Sequence, residues 1–197
     1  MIIDMHMHEM RYSGDSFLRL ENMVEIAKRR GLDGICITDH DSMGLKEFAA
    51  EYSEKTGFPI FVGIEFYSLQ GDIVAFGIED YPKERIPAQE FVDLVQAQGG
   101  MCFSAHPFRN NNRGLEENLK IVKGLDGIEV LNGSTLYEAN RKAAEYAAEL
   151  GLATVGSSDC HVPEKLGLYA TYFPREIRSV QELIRSVKRC ETLPVYY

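Results

Sequence analysis

Short apolar runs rich in β-branched residues alternate with amphipathic segments from one end of the sequence to the other, and this alternation leaves few folds open. Strand-like runs fall at residues 1–5, 34–38, 59–66, 73–78, 101–105, 127–131, 153–157 and 169–173. Helical spacing marks residues 21–30, 44–56, 87–98, 115–123, 136–150 and 180–188. In the first of these, Met23, Val24, Ile26 and Ala27 carry the helical period and Gly31 ends it. Gln70-Gly71-Asp72 marks a turn between two strands. Repeated strand–helix units mean a largely parallel sheet, open or closed into a barrel. So many strands in 197 residues favour a small, irregular barrel with short connections. No repeat or linker-like shift in composition divides the chain, so the expectation is one α/β domain over residues 1–197.

Charge narrows the partners. The formal net charge is −9, which argues against nucleic acid and anionic membrane, although three divalent ions would add about six positive charges in one cleft. Cys36, Cys102, Cys160 and Cys190 form no CxxC pair, so neither a zinc knuckle nor a disulfide framework is expected. Cys36 and Cys102 read as core residues. The start Met1-Ile2-Ile3-Asp4 turns polar at once, and no apolar run approaches the ~18 residues of a membrane span. A cytoplasmic address with no signal peptide is the expectation, and oligomeric state is left open beyond an interface role for the late strand at residues 169–173 and the Tyr196-Tyr197 end.

All five histidines, His6, His8, His40, His106 and His161, lie at or just beyond the carboxyl end of a predicted strand. In parallel barrels that rim is where active-site loops gather. His6 and His8 share one strand face because side chains alternate with period two. Asp39 and Asp41 flank His40, one of them as a ligand or as an orienting group. Glu65 puts a carboxylate in an apolar strand, which is costly unless it is paired or coordinated. Asp159 and His161 share a face while Cys160 points away, and Glu129 reads as a supporting carboxylate rather than a ligand. Arg109, just after His106, is a candidate for a phosphate oxygen pair because its planar fork fits one. Imidazole and carboxylate without repeated thiols suit zinc, manganese or iron. The sequence has no GxSxG, GxxxxGK or GxGxxG motif.

His6-x-His8, Thr38-Asp39-His40-Asp41, Glu65, His106-Pro107 and Asp159-x-His161, in this order, resemble the polymerase-and-histidinol-phosphatase (PHP) family of metal-dependent phosphoesterases. The resemblance spans Asp4 to His161. It implies a distorted (β/α)7 barrel and two to three divalent ions (Zn, Mn or Fe), with His6, His8, Glu65 and Asp159 on the first, Glu65 and His106 on the second, and His40 and His161 on the third. Asp15 matches a further family ligand, with one residue of extra spacing, and Asp72 stands where the family often has a histidine. With one helix between residues 78 and 101, no large cap insertion is expected. The implied reaction is hydrolysis of a small-molecule phosphate ester, such as a nucleotide or sugar phosphate, by a metal-bound hydroxide, with His40, Asp159 and Arg109 catalytic. The alternatives are a nuclease, proofreading or accessory nucleic-acid module of the same family and, behind it, an amidohydrolase-type C–N hydrolase.

Overall fold

The computed structural model describes residues 1–196. Its elements run β1 (Ile2–Asp4), α1 (Leu20–Arg29), β2 (Gly34–Ile37), α2 (Lys46–Thr56), β3 (Ile60–Val62), β4 (Ile64–Tyr67), β5 (Asp72–Phe76), α3 (Ala88–Ala97), β6 (Met101–Ser104), β7 (Gly127–Asn132), α4 (Tyr137–Leu150), β8 (Ala153–Ser157), β9 (Tyr169–Tyr172), α5 (Val180–Lys188) and β10 (Leu193–Tyr196). A 3-10 turn, Glu116–Lys120, replaces the helix predicted over 115–123, and Glu116 enters it at φ +49°, outside the α-helical region. β10 carries Pro194 and lies at a sheet edge, where proline is tolerated; its sequence gives no strand signal.

The strands form two five-stranded sheets, ordered β10-β9-β1-β2-β3 and β4-β5-β6-β7-β8. The α/β class is as expected, but the sheets are mixed rather than largely parallel, and among the described residues no single ladder closes into a barrel. Parallel pairings (β1–β2, β2–β3, β6–β7, β7–β8) are matched in number by antiparallel ones (β1–β9, β9–β10, β4–β5, β5–β6). The turn after β4 is too short for a crossover, so β5 must return antiparallel. The strand predicted over 59–66 breaks at Gly63. Its N–H still donates to Ile37 O at 2.9 Å, whereas Ile64 already pairs with Ala75 of β5. A Cβ at residue 63 would lie 2.4 Å from Ala75 O, so only glycine passes between the sheets there.

Beyond the strand ends, backbone hydrogen bonds tie the two sheets at one rim. Asp159 N donates to His6 O (2.9 Å), Thr38 N to Met7 O (2.9 Å) and Glu65 N to Asp39 O (3.1 Å). Because β5 is antiparallel, its first residue, Asp72, reaches the same rim as the carboxyl ends of β4 and β6. The helices pack outside. Leu20, Met23, Val24 and Ala27 of α1 are buried, and each large apolar side chain among them contributes about 1.5–3 kcal/mol. α5 begins with a capping box in which Ser179 and Glu182 satisfy each other's backbone N–H. No helix among the described residues is long and apolar enough to cross a membrane. Of the tyrosines read as an interface, Tyr196 is exposed and Tyr197 lies outside the described residues.

Between β8 and β9 a side chain stands in for the ladder. The buried Thr171 hydroxyl donates to Gly156 O (2.8 Å) and accepts from Gly156 N (2.9 Å). Thr171→Val keeps the shape but strands two buried backbone groups. It should cost roughly 1–3 kcal/mol in urea unfolding, and an unchanged midpoint would show that these bonds do not hold β9 in place.

Candidate metal centre

The rim described above gathers all five histidines. His6 and His8 follow β1, and their outward nitrogens are committed first. His6 Nδ1 lies 3.2 Å from Glu129 Oε1, and Glu129, a carboxylate, can only accept. Ser13 Oγ donates to Asp39 Oδ1 at 2.8 Å, so toward His8 Nδ1, 3.2 Å away, it accepts. Both rings therefore carry their proton on Nδ1 and turn Nε2 inward, where the two Nε2 atoms stand 3.1 Å apart. Two lone pairs facing each other at that distance, away from water, require a cation or a shared proton between them.

Carboxylates complete the arrangement. Glu65 Oε1 lies 3.4 Å from His6 Nε2 and 2.8 Å from His106 Nε2, and Oε2 lies 3.6 Å from His8 Nε2 and 2.8 Å from His40 Nδ1. Its two oxygens thus face two different groups of imidazoles. His40 Nδ1 makes no hydrogen bond of acceptable geometry despite the short distance to Glu65, which leaves a buried nitrogen aimed at a carboxylate with nothing between. Asp159 Oδ1 lies 3.2 Å from His8 Nε2 and 3.7 Å from His6 Nε2. Asp15 Oδ2 lies 3.3 Å from the Nε2 atoms of both His40 and His161. Four clusters of converging donor atoms result: His8 with His40 and His161; His6 with His106 and Asp159; His6 with His8 and Glu65; and Glu65 with Asp72 and His106. Spacing, orphaned atoms and donor chemistry all fit divalent ions.

Burial drives Glu65 and Asp159 toward protonation, but the His6 charge, with further imidazoles, outweighs it and holds both carboxyls well below their usual range. Burial alone would discharge His6, yet Asp159, Glu65 and Glu129 raise it well above its ordinary value. His8 goes the other way, pushed down to about 4 chiefly by burial. Strain collects here too. Asp41, His106 and Asp159 adopt positive φ (48°, 27° and 49°), a backbone state that costs non-glycine residues of order 1–3 kcal/mol and persists where the surroundings impose it.

Every residue singled out in the sequence lies at or beside this rim, with varied roles. Asp39 faces the loop after His8, accepting from Glu9 N (2.6 Å) and Ser13, and Asp41 Oδ1 caps Tyr67 N (2.8 Å). Glu129 is saturated by His6, Ser157 Oγ, His106 N and Asn132 Nδ2. Arg109 is turned onto protein groups: Asp159 Oδ2, Asn132 Oδ1 (2.7 Å) and Thr135 Oγ1 (3.0 Å). Asp72 is gripped by Arg113 through Nε (2.6 Å) and Nη2 (2.9 Å). Burial and the neighbouring Glu65 hold its carboxyl up at about 6 against that pull. The Cys160 thiol is buried among apolar side chains, away from the donors. Sequence reasoning missed Ser13, Asn111 and Arg113; the last two belong to a polar loop without periodicity or motif. A cavity of about 140 Å³ is lined by Asp15, His40, Glu65, Asp72, His106 and Asp159 together with Arg109, Asn111, Arg113 and His161. A larger one, about 490 Å³, lies between α2 and the start of α5 and contains none of the histidines.

Because ion binding at Nε2 must displace the proton that His6 retains above its ordinary value, uptake should tighten as pH rises. Between pH 6.5 and 8, manganese affinity should increase up to about tenfold per unit, with proton release in weak buffer. An affinity independent of pH would mean that no proton is displaced from His6.

A family model described as PHP-associated matches residues 137–192, which include Asp159 and His161. An uncharacterised protein of Methanocaldococcus jannaschii, MJ1587, is 28% identical over 140 residues, covering 66% of this chain and 80% of its own. Among solved structures, a provisionally assigned metal-dependent phosphoesterase from Bifidobacterium adolescentis superposes with TM-score 0.73 at 19% identity, covering 95% of this chain and 96% of its own. An amidohydrolase from Chromobacterium violaceum, with bound sulfate, gives 0.71 at 20%, covering 97% of each chain. The lesion-specific endonuclease PfuEndoQ from Pyrococcus furiosus gives 0.74 at 17%, covering 95% of this chain and 56% of its own. At these identities the structural likeness speaks to the fold alone, and with the matching family model it upholds the PHP resemblance read from the sequence.

Proposed function

We propose that this PHP-type chain is a metal-dependent hydrolase of phosphate esters, acting as one domain over residues 1–197. The observation that carries the reading is the pair of inward Nε2 atoms of His6 and His8, 3.1 Å apart, with Glu65 and Asp159 beside them. His6, His8, Glu65 and Asp159 would hold one ion, and His40, His161 and Asp15 another, with Glu65 joining the two. Divalent ions held there would bring the pKa of a coordinated water toward neutrality and draw charge from a phosphoryl oxygen.

The remaining groups favour an anionic substrate. Arg109 and Arg113 reach the same small cavity as the ion ligands, and Asn111 adds an amide. Arg109 spends Nε and Nη2 on protein acceptors, leaving Nη1 for an oxygen of the substrate. Those anchors hold the guanidinium in place before substrate arrives, so little entropy is lost on binding. At about 140 Å³ the cavity is well below the ~300–1,000 Å³ of a pocket that encloses a small molecule. It suits the phosphoryl group, with the rest of the ester outside, and α3 as the sole helix between β5 and β6 leaves no lid to select the leaving group.

The test is hydrolysis of an aryl phosphate with added manganese or zinc, run beside the matching diester. Asp159→Asn and His40→Ala should each lose bound metal and lower turnover by roughly 10²-fold or more, since outer partners of metal ligands alone cost about 10–100-fold. Retained turnover in both variants would refute the assignment.

A further inference from the structure

Arg113 has no part in the sequence motifs, yet it is among the most tightly held side chains at the rim. Its guanidinium takes both oxygens of the buried Asp72, Nε on Oδ2 at 2.6 Å and Nη2 on Oδ1 at 2.9 Å. It lies 4.4 Å from the centroid of the Tyr67 ring, and its own carbonyl accepts from Asp72 N at 2.7 Å. The two segments meet through glycines: a Cβ at Gly71 would fall 2.6 Å from the Gly114 carbonyl carbon. Two backbones pressed together in this way hold the arginine in one place.

We propose that Arg113 is a built-in cation that takes the place of one divalent ion, so that the chain binds two ions tightly and the Glu65–Asp72–His106 group stays closed. This rests on the metal-centre reading above. Histidine chemistry supports it independently. A metal-bound imidazole donates its other N–H to an acceptor, as His6 Nδ1 does to Glu129, His8 Nδ1 to Ser13 and His161 Nδ1 to the Asp159 carbonyl, 3.2 Å away. His40 Nδ1 has the Glu65 carboxylate 2.8 Å away to turn to, whereas His106 Nδ1 is buried with no partner. An ion on His106 Nε2 would force the proton onto that nitrogen, where nothing accepts it. With the proton on Nε2, donated to Glu65 Oε1 at 2.8 Å, the ring is satisfied without an ion.

Charge points the same way. Asp15, Glu65, Asp72, Glu129 and Asp159 lie against the histidines or the guanidiniums of Arg109 and Arg113, and five carboxylates with two guanidiniums make a net of three negative charges. Two divalent ions leave one positive charge in excess, whereas three leave three.

The test counts manganese bound by chelator-treated wild type, Arg113→Met and Arg113→Lys, with free Mn²⁺ read by electron paramagnetic resonance. Circular dichroism checks that each variant is folded. Wild type should bind two ions tightly. Arg113→Met should gain a third and be stabilised by manganese more than wild type. Arg113→Lys, which keeps the charge and loses the fork, should hold the third ion at least tenfold more weakly than Arg113→Met. Three equally tight ions in wild type, or a count in Arg113→Met that is unchanged or lower, overturns the proposal. If Arg113→Met does not fold, the wild-type count and Arg113→Lys decide alone. Wild type binding no manganese at all would refute the metal-centre reading itself, a distinct result.

Discussion

Glu65 is buried among four imidazoles, and most of the rim is arranged around that fact. A carboxylate out of water is expensive unless its charge is answered, and here it is answered from both oxygens, with His106 and His40 each at 2.8 Å. The answer is incomplete in protein groups alone. His40 Nδ1 stands close without a bond of good geometry, and the inward nitrogens of His6 and His8 face each other. A site that has assembled so many acceptors and so few protons is built for cations. The break at Gly63 follows from the same requirement, because it lets β4 leave β3 and carry Glu65 to where both sheets meet.

The outer partners explain how such a cluster stays ordered. Glu129 fixes His6, and Asp39 fixes His8 through Ser13, so each ring is oriented by an acidic residue behind it, on the side away from the facing Nε2 atoms. Both acids are well bonded, and the burial of charge is thus distributed over many hydrogen bonds. Positive φ at His106 and Asp159 marks where the backbone is bent to aim side chains, at a cost the surrounding ladders sustain.

How much of this was legible in the sequence depends on which physical signal each part leaves. The histidines could be read because they end apolar runs, and strand ends are marked by composition. Glu65 could be read because a lone carboxylate in an apolar run is costly. Asp39 was ambiguous, since its partner Ser13 lies 26 residues away and only the fold brings them together. Arg113 was invisible for a similar reason: it sits in a polar loop, and its bond to Asp72 spans 41 residues. The expectation of largely parallel pairing failed on direction. Apolar runs show where strands are, but the short turn after β4 and the late, proline-bearing β10 decide how they pair. Arg109 shows a further limit, because residue type suggested a phosphate ligand while the fold turns most of its guanidinium onto Asp159 and Asn132.

The central claim is that His6, His8, His40 and His161 with their carboxylates hold divalent ions, and crystals grown with manganese test it most directly through anomalous scattering. The account predicts a strong peak between the Nε2 atoms of His6 and His8, beside Glu65 and Asp159, and a second among His40, His161 and Asp15. Crystals that diffract well and show no anomalous peak at the rim, with His6 and His8 still turned toward each other, would contradict it.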